Sequence, residues 1–287
     1  MSRNPIAAYT HRGGFRLGAP VDFKDFLWEA LYDPAPGLDM IATAENLARR
    51  HGLSREAVDR YALDSHQLTL HAQTCGWFSD EIVPVGNEVF ELQGYQSRGI
   101  TLPRRCNEVT QDSHPRPTDL PALARLQAIH AEGVQTAGNS CAVVDGAAAA
   151  LVGQASMSTR PVLAHLLATA VVGVAPEFMG IGPVPAIRLL LERSGLVQDD
   201  IALFEVNEAQ GAQVLAVARE LELDSQRLNR RGGSIALGHP LAATGLRLVM
   251  TLARQLREQH LRYGIAAACV GGGQGMAVLI ENPDFRG

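Results

Sequence analysis

Apolar positions fall at helical spacing early in the chain and in alternating strand and helix patterns later. Met40, Ile41, Ala44, Leu47 and Ala48 mark one face of a helix over Met40–His51, which Gly52 stops. Ser54-Arg55-Glu56 opens a longer helix running to about Thr74, with Gly76 ending it. A short strand is expected at Glu81–Val85. Pro103, Pro115, Pro117 and Pro121 then break the pattern and leave room for one helix near Leu120–His130. Asp145-Gly146-Ala147-Ala148-Ala149-Ala150 is small and apolar, a texture that suits a helix lying close on a sheet. Beyond it, strands are expected at Val171–Val174, Ile201–Val206, Gly233–Ala236, Ile265–Val270 and Met276–Glu281. Helices are expected at Val184–Ser194, Ala209–Leu221 and Leu241–Gln259. Strands rich in Val, Ile and Ala that alternate with helices predict an α/β class, with a mixed or parallel sheet covered by helices. No short tandem repeat interrupts this order.

Composition narrows the function classes. Of 287 residues, 46% are hydrophobic and 19% charged, enough apolar side chain for a real core and too much for a disordered chain. The net charge of -5 is spread without blocks, so no basic face marks a nucleic-acid partner. The first residues lack the apolar stretch of a secretion signal, and the longest apolar run, near Ala142–Val152, is too short for a bilayer span. A cytoplasmic protein without membrane or nucleic-acid contacts is the expectation. Cys75, Cys106, Cys141 and Cys269 lie far apart with no C-x-x-C spacing, which predicts neither a metal site nor a disulfide framework.

The candidate chemistry lies near the C-terminus. Gly238-His239-Pro240 sets an imidazole on a fixed turn, and a side chain that titrates near neutrality suits proton traffic. Cys269 ends an apolar strand ahead of Gly271-Gly272-Gly273, so its thiol stands where backbone amides crowd close. Val206-Asn207-Glu208-Ala209 adds an amide at the end of another strand, a place that equally suits a plain helix cap. Taken singly, His239 reads as a structural loop histidine and Cys269 as a small buried hydrophobe. Together they supply the base, acid and donors that acyl transfer through sulfur needs. The glycine run matches neither G-x-G-x-x-G nor a Walker loop.

In this order, Asn-Glu-Ala, Gly-His-Pro and Cys-x-Gly-Gly-Gly resemble the C-terminal half of a thiolase, the family that makes and cleaves 3-ketoacyl-CoA. The resemblance implies a layered αβαβα fold, with a loop domain over 1–140, the returning tail of the first half over 141–160, and the C-terminal domain over 161–287. It gives His239 the role of base toward the nucleophilic thiol, and Cys269 that of acid and base toward the second substrate. It gives Asn207 the water that helps bind the thioester oxygen, and Gly271 an oxyanion-hole amide. Ala137-Gly138-Asn139-Ser140-Cys141 resembles the family's pantetheine-contacting stretch, Met40 sits where the loop domain lines the acyl tunnel, and Ala209 follows in the Asn-Glu-Ala motif. CoA thioesters are the implied substrates, with no further cofactor.

Departures from the family pattern are Cys141 in place of serine, Gln210 in place of phenylalanine, and Arg230-Arg231 before the Gly-Gly pair. Those two arginines suit a CoA phosphate or a solvated face. The family's nucleophile lies in a Cys-x-Ser-Gly context at a helix start, which lowers a thiol's pKa, and no cysteine of this sequence has that context. The resulting expectation is a thiolase lacking the N-terminal part, either a homo-oligomer or dependent on that half. The alternatives are one subunit of a split thiolase or a non-catalytic acyl-CoA-binding fragment.

Overall fold

A computed structural model describes residues 4–9, 11, 13–154 and 160–286. Its core is a four-stranded mixed sheet in the order Ile201–Val206, Tyr263–Val270, Gln274–Glu281, His165–Gly173. The first two strands run parallel, and the other neighbours antiparallel. On one face the helices Pro183–Ser194 and Gly211–Glu220 bury Ile187, Leu190, Val214 and Val217 against Phe204, Ile265 and Leu279. On the other, the helix Leu241–Glu258 lays Leu248, Leu252 and Leu256 on Leu203, Ala266 and Ile280. Each such side chain contributes roughly 1.5–3 kcal/mol by leaving water, which makes the sheet the rigid base of the molecule.

A further helical layer comes from the first half of the chain. Helix Met40–His51 carries Asp39 as its N-cap and Gly52 in the left-handed region as its C-cap. Helix Arg55–Thr74 is capped by Ser54, whose side chain accepts from the Ala57 N–H. Leu47, Ala48 and Val58 of these helices pack on Ala212 and Ala216. Helix Gly211–Glu220 is therefore held between the sheet and the first-half helices. The segments flanking these two helices contain strands of only two or three residues.

Several expectations are corrected. Glu81–Val85 is not a strand: Glu81 turns inward to accept from Thr251 Oγ1 at 2.5 Å, and only Val85–Gly86 pairs. The helix near Leu120–His130 stops at Ala124, after which the chain turns to make the bridge Ala128↔Thr136. Asp145–Ala150 forms no helix. It is largely exposed, and short apolar side chains that stay in water do not reward a helix by burial. Gly233–Ala236 is not a strand but leads into a helical turn at Ser234–Leu237, because the Ile235 N–H is held by the Glu208 carboxylate. The strand expected at Val171–Val174 is longer, His165–Gly173, and forms an edge. Part of the expected 141–160 tail, 155–159, lies outside the described residues, as do Met1-Ser2-Arg3.

Candidate active site

The site forms where strands end. Asn207 follows Ile201–Val206 and donates its backbone N–H to the Ala267 carbonyl of the neighbouring parallel strand at 2.9 Å. Cys269 lies two residues beyond Ala267, and strand alternation puts the two side chains on one side of the sheet. The strand then turns through Gly271-Gly272-Gly273, with φ of +85° at Gly272 and +83° at Gly273, a region that side chains rarely tolerate. At Gly273 a Cβ would also lie 2.3 Å from the Val174 carbonyl oxygen. Glycine is required there on both counts.

His239 reaches the same place from the opposite direction. Gly238, at φ +90°, turns the chain against Val144, and the His239 N–H donates to the Ala142 carbonyl at 2.8 Å. Its imidazole has Nδ1 2.6 Å from Thr244 Oγ1 and Nε2 3.5 Å from Asn207 Nδ2. Burial, reinforced by the Arg247 guanidinium, lowers its pKa to about 4, so the ring is neutral at neutral pH. Burial pushes the Cys269 thiol up to about 12, which keeps it protonated.

The substrate-side residues divide. The Cys141 N–H donates to the Ala209 carbonyl at 3.1 Å. Burial, and then the nearness of Cys269, pushes the Cys141 thiol up to about 12. Met40 Sδ lies 3.6 Å from where a Cβ on Gly271 would stand, so the first-half helix reaches the glycine turn. Met40, Cys141 and Ala209 thus join His239, Asn207, Cys269 and Gly271. Ala137 does not: it is exposed in the Thr136–Asn139 turn.

Glu208 is buried and ties the layers together. Its carboxylate accepts from Tyr61 at 2.8 Å, Ser65 at 2.7 Å, Asn229 Nδ2 at 3.1 Å and the Ile235 N–H at 3.1 Å. Burial raises its pKa, and the hydrogen bonds from Ser65, Tyr61 and Ile235 oppose that shift. Arg231 pairs with Glu258 at 2.7 Å and lies over the Trp77 ring, while Arg230 donates to Gln226 at 2.5 Å.

Sequence reading missed Thr244, Ser234, Arg247 and the clamp around Glu208. Thr244 was detectable in principle: it stands five residues after His239, across the first turn of a helix starting at Leu241. Ser65 and Tyr61 carried no signal, being far away in the chain. Among the described residues, no group of three His, Cys, Asp or Glu side chains converges as a metal site.

Comparison with known proteins accounts for this arrangement. The family model described as "Thiolase, C-terminal domain" matches residues 160–282, and that described as "Thiolase, N-terminal domain" matches residues 1–156. The expectation of a chain lacking the N-terminal part is therefore not borne out. The mitochondrial 3-ketoacyl-CoA thiolase of Bos taurus is 42% identical over 98% of this chain and 69% of its own length. A probable acetyl-CoA acetyltransferase of Escherichia coli is 43% identical over 99% of this chain and 70% of its own. The structure of human mitochondrial 3-ketoacyl-CoA thiolase in complex with CoA superposes with a TM-score of 0.85 at 37% identity, covering 98% of this chain and 68% of that one. With an α/β core of this topology and matches along its whole length, the chain belongs to the thiolase family of acyltransferases.

Proposed function

We propose that the chain acts on 3-ketoacyl-CoA, with acetoacetyl-CoA the simplest case, by thiolytic cleavage or the reverse Claisen condensation. His239 and Cys269 move the protons, while Asn207 and the Gly271 N–H hold oxygen charge. The observation carrying this reading is the convergence of the His239 imidazole, the Asn207 amide and the Cys269 strand end. In cleavage, a nucleophilic thiol, which no cysteine of this sequence offers in the family's Cys-x-Ser-Gly context, gives its proton to His239 Nε2, and its sulfur bonds to the keto carbon. The carbon–carbon bond breaks, its electron pair stays on the acyl-CoA methylene carbon, and that carbon takes the Cys269 proton. The Cys269 thiolate then takes the proton of an incoming CoA thiol, whose sulfur accepts the acyl group as His239 returns its proton to the departing thiolate.

Burial supports both assignments: a thiol kept protonated serves as an acid, and a ring kept neutral serves as a base. Condensation runs the same steps backwards. Met40, Cys141 and Ala209 face the acyl and pantetheine path, and Ala137 meets the pantetheine arm from the surface. CoA recognition is supported by the likeness to the human thiolase in complex with CoA. CoA thioesters are the only small molecules required, and the protein works in the cytoplasm as a homo-oligomer.

The test is acetyl-CoA release from acetoacetyl-CoA and CoA, measured by mass spectrometry. His239→Ala and Cys269→Ala should each lower it roughly 10²–10⁴-fold, the usual range for an acid–base group. Asn207→Ala should lower it roughly 10²–10³-fold, as for a lost oxyanion donor. Turnover unchanged in the His239 or Cys269 variant would show that the roles are misplaced.

A further inference from the structure

We propose that Thr244 and Ser234 are positioning residues that hold His239 as its Nδ1–H tautomer, leaving the Nε2 lone pair toward the site. The inference rests on the hydrogen bonds as a connected set. Thr244 Oγ1 donates to the Pro240 carbonyl at 3.2 Å, which commits its single hydrogen. The 2.6 Å contact with His239 Nδ1 is then satisfied only if Nδ1 carries the proton and the hydroxyl oxygen accepts it. Nε2 is left as an acceptor.

The other end of the set agrees. Arg247 Nη2 donates to Ser234 Oγ at 3.3 Å, so the serine hydrogen turns away from the guanidinium. It points to Asn207 Oδ1 at 2.6 Å, whose lone pairs accept it. With Oδ1 engaged, the Asn207 amide turns Nδ2 toward His239 Nε2 at 3.5 Å, a donor toward an acceptor. The hydrogen bonds therefore run one way, from Arg247 through Ser234, Asn207, His239 and Thr244 to the Pro240 carbonyl. The opposite tautomer places Nε2–H against an amide N–H and leaves Nδ1 without a donor. A base that accepts a proton at Nε2 needs the first arrangement.

The assignment builds on the reading of His239 as a base, yet its test needs no turnover. Long-range proton–nitrogen NMR of the intact chain without acyl-CoA reports the tautomer directly, with the His239 signals identified by their loss in His239→Gln. The expected result is a protonated Nδ1 and an unprotonated Nε2 near neutral pH. Thr244→Val should shift the ring toward Nε2–H or an exchanging mixture, and Thr244→Ser should restore the original pattern. In acetoacetyl-CoA cleavage, Thr244→Val should lower kcat at least tenfold with little change in KM, whereas a merely structural loss would leave the tautomer unchanged.

An Nε2–H tautomer in the unaltered chain, or an unshifted Nδ1–H pattern in folded Thr244→Val, overturns the proposal. Should Thr244→Val not fold, the unaltered chain and Ser234→Ala decide, the latter being expected to loosen the Asn207 amide and broaden the Nε2 signal. A tautomer found as expected alongside an absence of acyl transfer would count against the functional reading and not against the tautomer.

Discussion

Replacing Glu208 tests whether the buried clamp holds the site together. The carboxylate accepts four hydrogen bonds, two from the Arg55–Thr74 helix, one from Asn229 and one from the backbone that leads to His239. Glu208→Ala orphans all four donors. Leaving one buried donor unpaired costs about 1–3 kcal/mol, but water entering the vacated space and rotation of the two hydroxyls return part of it. The Tyr61 hydroxyl also accepts from Asn229, so it is not left alone. The net expectation is about 3–5 kcal/mol, in line with breaking a buried charged network. Glu208→Gln keeps the shape but puts an NH₂ against two donors, one of them a hydroxyl that can turn to accept, for a cost of about 1–2 kcal/mol. Tyr61→Phe, which removes one donor, should cost about 1 kcal/mol. Urea unfolding of the three variants followed by circular dichroism gives the series. A loss below about 1 kcal/mol for Glu208→Ala, or Gln costing more than Ala, would refute the clamp.

Three further predictions follow from the same geometry. The folded His239 pKa of about 4 lies below the unfolded 6.5, so its contribution is complete above 6.5 and is lost as pH falls toward 4, about 2 kcal/mol being gone at pH 5. His239→Gln should therefore lose about 2 kcal/mol less stability than the parent between pH 7.5 and 5, and identical pH curves would contradict this. Gly273→Ala must clear the Val174 carbonyl and should cost about 2–3 kcal/mol, whereas Gly272→Ala, with a similar φ but an open surrounding, should cost about 1 kcal/mol; equal melting losses would undo the distinction. Leu167, Val171 and Met276 are exposed at 45%, 55% and 46%, with Val171 and Met276 directly paired, so the chain should self-associate through this patch. Val171→Lys should shift sedimentation toward the monomer, and an unaltered distribution would exclude the patch.

Legibility in the sequence followed the range of the interactions. Met40–His51, Arg55–Thr74, Pro183–Ser194 and Leu241–Glu258 were readable because caps and apolar periodicity act locally. Ile201–Val206 and Tyr263–Val270 were readable because buried parallel strands are continuous apolar runs. The failures at Glu81–Val85 and Gly233–Ala236 share a cause, partners distant in the chain, whereas Asp145–Ala150 stays largely in water, where burial does not reward a helix. Glu81 is held by Thr251, 170 residues away, and Ile235 by a carboxylate 27 residues before it. The site divides likewise. His239, Cys269, Asn207 and Gly271 stood out through their neighbours in sequence, and the fold brings them together. Ser234, Thr244 and Arg247 matter through where their hydrogen bonds go, which no spacing announces.

The central claim is that Cys269 exchanges protons with carbon beside a thioester whose oxygen charge Asn207 and Gly271 hold. Deuterium entry into the methyl group of acetyl-CoA, followed by mass spectrometry in heavy water, tests it without requiring a complete catalytic cycle. The account predicts exchange faster than the protein-free background, abolished by Cys269→Ala and strongly slowed by Asn207→Ala. Exchange that survives in Cys269→Ala, or its absence from unaltered chain shown to bind acetyl-CoA, would contradict it.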